Sequence, residues 1–309
     1  MNTSFSKSAA SAGSANRRRS EAKREEARKR LHSSKVRMSS TWILRFLLYF
    51  SAVFTAFVLL FLISYILIKG IPNLNPSLFA WKYTPKNVTM LPSIINTLLT
   101  TVLSLAAAVP VGIFSAIYLT EYAKKGSKLV KLVRLTTETL SGIPSIVYGL
   151  FGYLCFVIAL KWDYSLLAGA MTLSIMVLPL IMRTTEEALI SVPDSYREGS
   201  FGLGAGKLRT VFRIVLPDAV PGILAGVILA VGRIAGESAA LIYTAGTVPA
   251  VPENLFSSTR TLSVHMYALL SEGLYTNEAY ATAVVLLVMV VGINMLSYSI
   301  AKKVAKKHE

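Results

Sequence analysis

Six stretches of the chain, each long, apolar and nearly free of charge, limit what it can fold into more than any other feature. They lie at about 42–68, 94–119, 142–160, 165–182, 220–245 and 280–301. Crossing about 30 Å of hydrocarbon takes roughly 20 mostly apolar residues in an α-helix. Only 16% of the 309 residues are charged and 53% are hydrophobic, against about 25% charged in ordinary soluble domains. The expected fold is all-α: a polytopic membrane protein of six transmembrane helices. The first stretch exceeds the apolar run of a secretory signal and follows a long charged leader, so it is expected to remain as a span. Pro110, Pro144, Pro179 and Pro221, near or within spans, are expected to kink helices.

One cysteine, Cys155, excludes a disulfide framework and a thiolate zinc cage. The three histidines, His32, His265 and His308, are scattered and suggest no metal site.

The charge of +16 has a pattern. Residues 1–46 hold 12 Lys and Arg, 120–142 hold 5, 183–217 hold 5 and 302–309 hold 4, whereas the alternate loops together hold 5. Positively charged loops stay on the cytoplasmic side, which predicts cytoplasmic N- and C-termini in a bacterial inner membrane. Residues 1–40 read as a basic, disordered tail and 41–309 as the transmembrane domain. Two readings of the tail stand: a topology signal resting on anionic lipid, or an arm for nucleic acid. The first is favoured, and no nucleic-acid partner is expected.

Between the fourth and fifth spans, Val192 to Pro217 is neither low-complexity nor a plain charged linker. Ser195 followed by Glu198 matches a capping box, which predicts a short helix stopped by Gly202, Gly204 and Gly206. Beyond the glycines, Leu208, Val211, Phe212 and Val215 are spaced for one apolar helical face, and Pro217 is expected to limit that helix. Two short helices around a glycine turn form either a knob that docks in a partner's groove or an ordinary surface hairpin. Gly202 to Lys207 faintly resembles a phosphate loop, but Leu208 follows the lysine and Phe201 occupies the first glycine's place. Nucleotide binding by this chain is not expected.

The order Glu198, Gly204, then nine residues to Ile214-x-Leu216-Pro217, resembles the EAA loop of ABC-importer permeases. The runs 112–123, 141–152 and 232–240 are similar to phosphate-importer permeases, and the resemblance covers about 92–300, the permease core. The 237–241 ending resembles the PstA type more than the PstC type. This resemblance implies a type I importer-like fold and a phosphate permease subunit that is not itself an enzyme. It implies as partners a homologous PstC-type permease, two copies of a PstB-type ATPase that use ATP, a PstS-type phosphate-binding protein and membrane lipids. It implies ATPase coupling through Ser195, Arg197, Glu198, Gly199, Ser200, Gly204, Ile214, Leu216 and Pro217. Glu198-Gly199-Ser200 stands where the family has Glu-Ala-Ala; glycine costs about 1 kcal/mol against alanine inside a helix, so a softer coupling helix is expected.

Arg233 and Glu237 lie inside the apolar fifth stretch. A charge at the bilayer centre costs at least about 2.5–3.5 kcal/mol on insertion scales, so such residues face protein or a wet path. Four residues apart on a helix, they form either a self-compensated salt bridge or a site in which Arg233 offers a donor fork to an oxyanion. The resemblance places this region, with Ser238 as a weaker member, on the phosphate path. No catalytic constellation and no metal ligand set accompanies them. Three alternatives remain: an ABC permease for molybdate or sulfate, an ion-coupled secondary transporter, for which the expected half-to-half repeat is lacking, and a membrane-anchored nucleic-acid or scaffold protein built on the basic tail. The outer segment 246–278, with Pro249, Pro252 and Tyr275, is the expected docking side for the phosphate-binding protein.

Overall fold

The computed structural model describes residues 44–124 and 126–306; the basic tail lies outside them. Among the described residues all regular structure is helical. The chain divides after Tyr65 into two units. The first is the opening part of helix α1 (Leu44–Asn73), the first apolar span. Its residues Phe46, Phe50, Phe54, Phe57, Phe61 and Tyr65 recur on one face, with stacked rings 6.0 to 6.4 Å apart at i, i+4 spacing.

The second unit, from Ile66 onward, holds α2 (Leu91–Ile117), α3 (Lys128–Ser141), α4 (Ser145–Gly152), α5 (Leu166–Ser191), α6 (Asp194–Gly202), α7 (Lys207–Thr210), α8 (Leu216–Ala235), α9 (Ala239–Ile242), α10 (Leu262–Glu272) and α11 (Thr276–Lys306). Among the described residues of the whole chain, five helical spans are long and apolar enough to cross a membrane. The bent pair of α3 with α4 makes a sixth if it counts as one span.

The distribution of side chains on α2 is that of a helix in lipid. Its buried positions are small or hydroxylated, among them Ser93, Asn96, Thr97, Thr100, Ser104, Ala108 and Gly112, while Leu98, Val102, Val111 and Phe114 face out. Hydrocarbon is as apolar as leucine, so helices associate through close packing of small residues and through hydrogen bonds. Thr97, Thr100 and Thr101 each return a hydroxyl bond of 2.7 Å to the carbonyl four residues back. Ser174 of α5 donates to the Ser104 carbonyl at 2.9 Å, tying the two helices together.

Helix α5, capped by Ser165, is the hub. Leu173, Met176, Val177 and Ile181 are fully buried and form one cluster with Ala108 of α2, Tyr148 of α4, Ala230 and Ile234 of α8, and Leu241. A Cβ on Gly149 would lie 2.9 Å from the Cα of Ala240, a backbone atom that cannot yield. The α4–α9 contact thus requires glycine at this position.

Three sequence expectations are corrected. The third span begins at Ser145 rather than about 142 and is joined by a 106° bend, with Pro144 at the corner, to α3, an amphipathic helix in what reads as a loop. The alternation of Leu129, Val130, Leu132, Val133 and Leu135 with basic residues is the signal for α3. The fifth span ends at Ala235, not near 245, and reopens as the short α9. Pro217 does not stop its helix: the wide turn Val211–Val215 opens the backbone just upstream, so the missing proline N–H and the bulk of its ring are absorbed. Pro110, Pro179 and Pro221 likewise sit inside helices that run on past them.

At the end of the bundle remote from α6 and α7, His265 is completely buried, edge-on to Tyr83 and close to Arg260. Burial, then the Arg260 charge, push its pKa down to about 3, against an opposing pull from the backbone of Val88. The folded state therefore holds a neutral imidazole that the unfolded chain protonates below about 6.5, so stability is lost as pH falls from about 6.5 towards 3. Thermal unfolding in detergent should show this as a decline approaching 1.4 kcal/mol per pH unit, flattened in His265→Gln. Gly149→Ala should cost about 1–3 kcal/mol by overpacking, read as a lower melting temperature.

Candidate functional site: a coupling knob and a broken span

The glycine turn between α6 and α7 forms as the sequence requires. Gly204 takes φ +82, the left-handed region that favours glycine, and its N–H bonds the Phe201 carbonyl at 2.9 Å. The capping box does not form. Pro193 occupies the N-cap, Asp194 begins the helix, and Ser195 falls in the first turn with no capping bond, because the helix starts two residues earlier than the capping box requires. The proposed apolar face is also divided. Val211 and Val215 are buried with Leu189, Val192 and Ile223, whereas Leu208 and Phe212 are exposed.

The result is a knob with an apolar tip and a fixed base. Tyr196, Phe201, Leu203 and Leu208 are exposed, Leu203 by 91%. Glu198 and Gly199 lie exposed beside them, and a cleft of about 540 Å³ opens between Tyr196, Gly199, Leu203, Arg209 and Arg213. Ser200, in place of the family's alanine, is buried and shares a 2.8 Å hydroxyl bond with Thr210, stitching α6 to α7. That bond opposes the softening expected from Gly199. Ile214, Leu216 and Pro217, partly buried, carry the knob into α8.

Arg197 anchors the knob to the bundle. Its Nη2 donates to Glu121 Oε1 at 2.7 Å and to the Leu189 carbonyl at 2.9 Å, and its Nη1 donates to the Val192 carbonyl at 2.8 Å. The two side chains are 15% and 8% exposed. Glu121 sits in the wide turn Tyr118–Tyr122 that ends α2. One guanidinium therefore joins α2, α5 and α6. Glu121 and Thr210 were not among the site residues read from the sequence. The signal for Glu121 is that it is the single acid in the apolar run 94–123.

The second feature lies in the fifth span. Helix α8 stops at Ala235, the chain passes through Gly236, Glu237 and Ser238 without helix, and α9 begins at Ala239. Non-helical backbone within a span is tolerated only where protein covers it or where it lines a wet cavity. Of the two readings of Arg233 and Glu237, the self-compensated salt bridge does not form: Glu237 lies past the helix end, where its Oε1 accepts from the Ala240 N–H at 3.2 Å and caps α9. Its carbonyl accepts from the Ser263 hydroxyl. Arg233, in the last turn of α8, is exposed and has no ion-pair partner among the described residues, though its charge reaches Tyr148 of α4. The α8 C-terminus favours a cation there. Gly232 faces the side chain of Asn294 on α11 at 3.7 to 3.8 Å for a Cβ at that position. Ser238 opens α9 through its carbonyl, which accepts from Leu241 and Ile242, and its hydroxyl makes no cap. The break thus separates Arg233 and Glu237, which sequence spacing puts on one face.

Glu121→Gln would leave the Arg197 guanidinium in its niche with only the solvent-exposed Asp194, at 3.2 Å, as a counter-charge. Removing one partner of a buried pair costs about 3 kcal/mol, or roughly a hundredfold in local opening. Hydrogen exchange over 194–210 should accelerate by that order, while exchange in the centre of α5 stays unchanged.

Residues 108–308 match the family of binding-protein-dependent transport system inner membrane components. The chain is 32% identical over 274 residues to the probable ABC transporter permease protein YqgI of Bacillus subtilis (strain 168), covering 83% of this chain and 93% of that one. It is 34% identical over 260 residues to the phosphate transport system permease protein PstA of Yersinia pestis, covering 82% and 87%. In three dimensions it matches the crystal structure of a bacterial alginate ABC transporter in complex with a periplasmic protein, with TM-score 0.55 and 21% identity over 81% of this chain and 95% of that one. The multi-pass helical bundle with its knob between α5 and α8 therefore belongs to the binding-protein-dependent inner membrane components, the permease subunits of ABC importers.

Proposed function

We propose that this chain is the PstA-type half of an importer for inorganic phosphate. The observation that carries the reading is the break at Gly236–Ser238, which leaves an exposed Arg233, without an ion-pair partner among the described residues, beside non-helical backbone in an otherwise apolar span. A guanidinium matches a tetrahedral oxyanion with two parallel N–H donors, and one that makes no ion pair with the neighbouring carboxylate is open to an anion. Arg233, Glu237 and Ser238 line this path, Arg233 contacting the anion and Glu237 holding the break in shape through its cap on α9. Relatives named as phosphate permeases support the choice of cargo.

The basic segments set the orientation. The tail, the α3 region, the knob and the C-terminal lysines lie on the cytoplasmic side, and both termini with them. The knob engages a PstB-type ATPase, one of two copies, which uses the ATP; this chain binds no cofactor. A PstC-type permease completes the path, and a PstS-type protein delivers phosphate to the outer side. An external energy source fits the cargo, because moving one negative charge into a cell costs about 2.3 kcal/mol per 100 mV.

The assembled transporter in proteoliposomes, with ATP on the ATPase side, should accumulate phosphate in preference to sulfate and molybdate. Arg233→Gln should lower that uptake at least tenfold while the complex still co-purifies. Uptake unchanged in this variant would remove Arg233 from the path, and preference for sulfate or molybdate would reassign the cargo.

A further inference from the structure

Far from the knob, between α9 and α10, Arg260 is 4% exposed, and its Nε and Nη2 have no hydrogen-bond partner. A buried guanidinium without a counter-charge is among the costliest arrangements a fold can hold. Those two nitrogens form one edge of the planar group, the edge that bonds an oxyanion with two parallel N–H donors. Its flat face is occupied by the Tyr83 ring, whose centroid lies 5.2 Å from the Arg260 Cζ. Stacking of this kind orients the plane and leaves the donor edge free.

Other polar atoms on the segments that meet at this end of the bundle are also unpaired among the described residues. His265 is fully buried with its ring against the backbone of Val88, and Thr259 Oγ1, Ser93 Oγ and Asn96 Oδ1 are buried without partners among the described residues. These residues are held together by the backbone. Asn96 Nδ2 donates to the carbonyls of Arg260 at 3.1 Å and Ala250 at 2.9 Å, and the Leu262 N–H donates to Thr97 Oγ1 at 2.8 Å. Buried polar groups are nearly always satisfied, so such a concentration of orphans with one cation among them calls for a ligand that brings both negative charge and acceptors. The nearby Val88, buried at φ +36, is a β-branched residue in the left-handed region, where strain of this kind accompanies function. The same segment reaches the broken span: Ser263, three residues beyond Arg260, bonds the Glu237 carbonyl.

We propose that Arg260, oriented by Tyr83 and flanked by His265, Thr259 and Asn96, is a second oxyanion site at the outer end of the bundle, where the anion pairs before it reaches Arg233. The site takes a tetrahedral oxyanion, inorganic phosphate on the reading of the cargo above, on which this inference rests. Arg260 supplies the charge and the donor fork, neutral His265 walls the site with its one N–H turned to the Val88 backbone and its other nitrogen left as an acceptor, and Thr259 and Asn96 meet the anion's own protons or an ordered water. The link from Ser263 to Glu237 joins occupancy of this site to the backbone of the break.

The test uses the assembled transporter in nanodiscs without its binding protein, with radiolabelled inorganic phosphate as the probe and sulfate and molybdate in parallel. Arg260→Gln should weaken phosphate binding at least tenfold, Arg260→Lys should restore part of it, and Tyr83→Leu, which keeps the charge but frees its plane, should weaken it three- to tenfold. In an Arg233→Gln background, where uptake falls at least tenfold, adding Arg260→Gln should still weaken the remaining phosphate binding at least tenfold, which separates failure of the outer site from failure of the proposed path. If sulfate or molybdate binds in place of phosphate, the cargo is reassigned and the outer site stands, provided the Arg260 variants lose that anion. Equal oxyanion binding in wild type and Arg260→Gln overturns the site. Should Arg260→Gln fail to assemble, unchanged binding in both Arg260→Lys and Tyr83→Leu overturns it equally. Loss of the partner subunits from Arg260→Gln, with normal anion binding by Tyr83→Leu, would assign the fork to a partner's carboxylate and also overturn it.

Discussion

Backbone that crosses hydrocarbon has no water to bond, and every feature of this bundle follows from how that requirement is met or locally set aside. Where it is met, the chain is long helix with small and hydroxylated residues turned inward, as on α2 and α5, and bulky apolar residues turned out. Where it is set aside, at Gly236–Ser238, other parts of the protein supply the missing partners: Glu237 caps α9 and Ser263 bonds the Glu237 carbonyl. The exception is local and placed beside a charge. It also frees Arg233 from the partner that an unbroken helix would have given it.

Force applied at the knob has a defined route into this bundle. Arg197 holds Glu121 at the end of α2 and the carbonyls of Leu189 and Val192 at the end of α5, so α6 cannot tilt without loading both helices. Helices α2 and α5 then pack along their length, with the Ser174 hydroxyl on the Ser104 carbonyl between them. Helix α7 runs through a wide turn into α8, whose other end is the break beside Arg233. The knob and the candidate path are thus the two ends of one nearly continuous element.

Much of this was legible in the sequence because it is governed by local pattern. Apolar length gives the spans, the spacing of glycines gives the turn at Gly204, and the order from Glu198 to Pro217 marks the knob. Other features were misread where two local signals competed. Ser195 and Glu198 satisfy a capping pattern, yet Pro193 takes the cap. Pro217 reads as a stop, yet a wide turn accommodates it. Arg233 and Glu237 have helical spacing, yet the helix ends between them.

By itself the sequence determined that the chain is a helical membrane protein, where its spans lie, and which loop forms the knob, since hydrophobicity and turn chemistry act over a few residues. Only the tertiary structure decided that Arg197 pairs with Glu121, that Ser200 meets Thr210, and that Arg260 and His265 lie buried together against Tyr83. Arg197 and Glu121 are 76 positions apart, and Arg260 and the side chain of Asn96 that braces it 164. Contacts at such separations are set by how helices pack, and no periodicity in the chain encodes them.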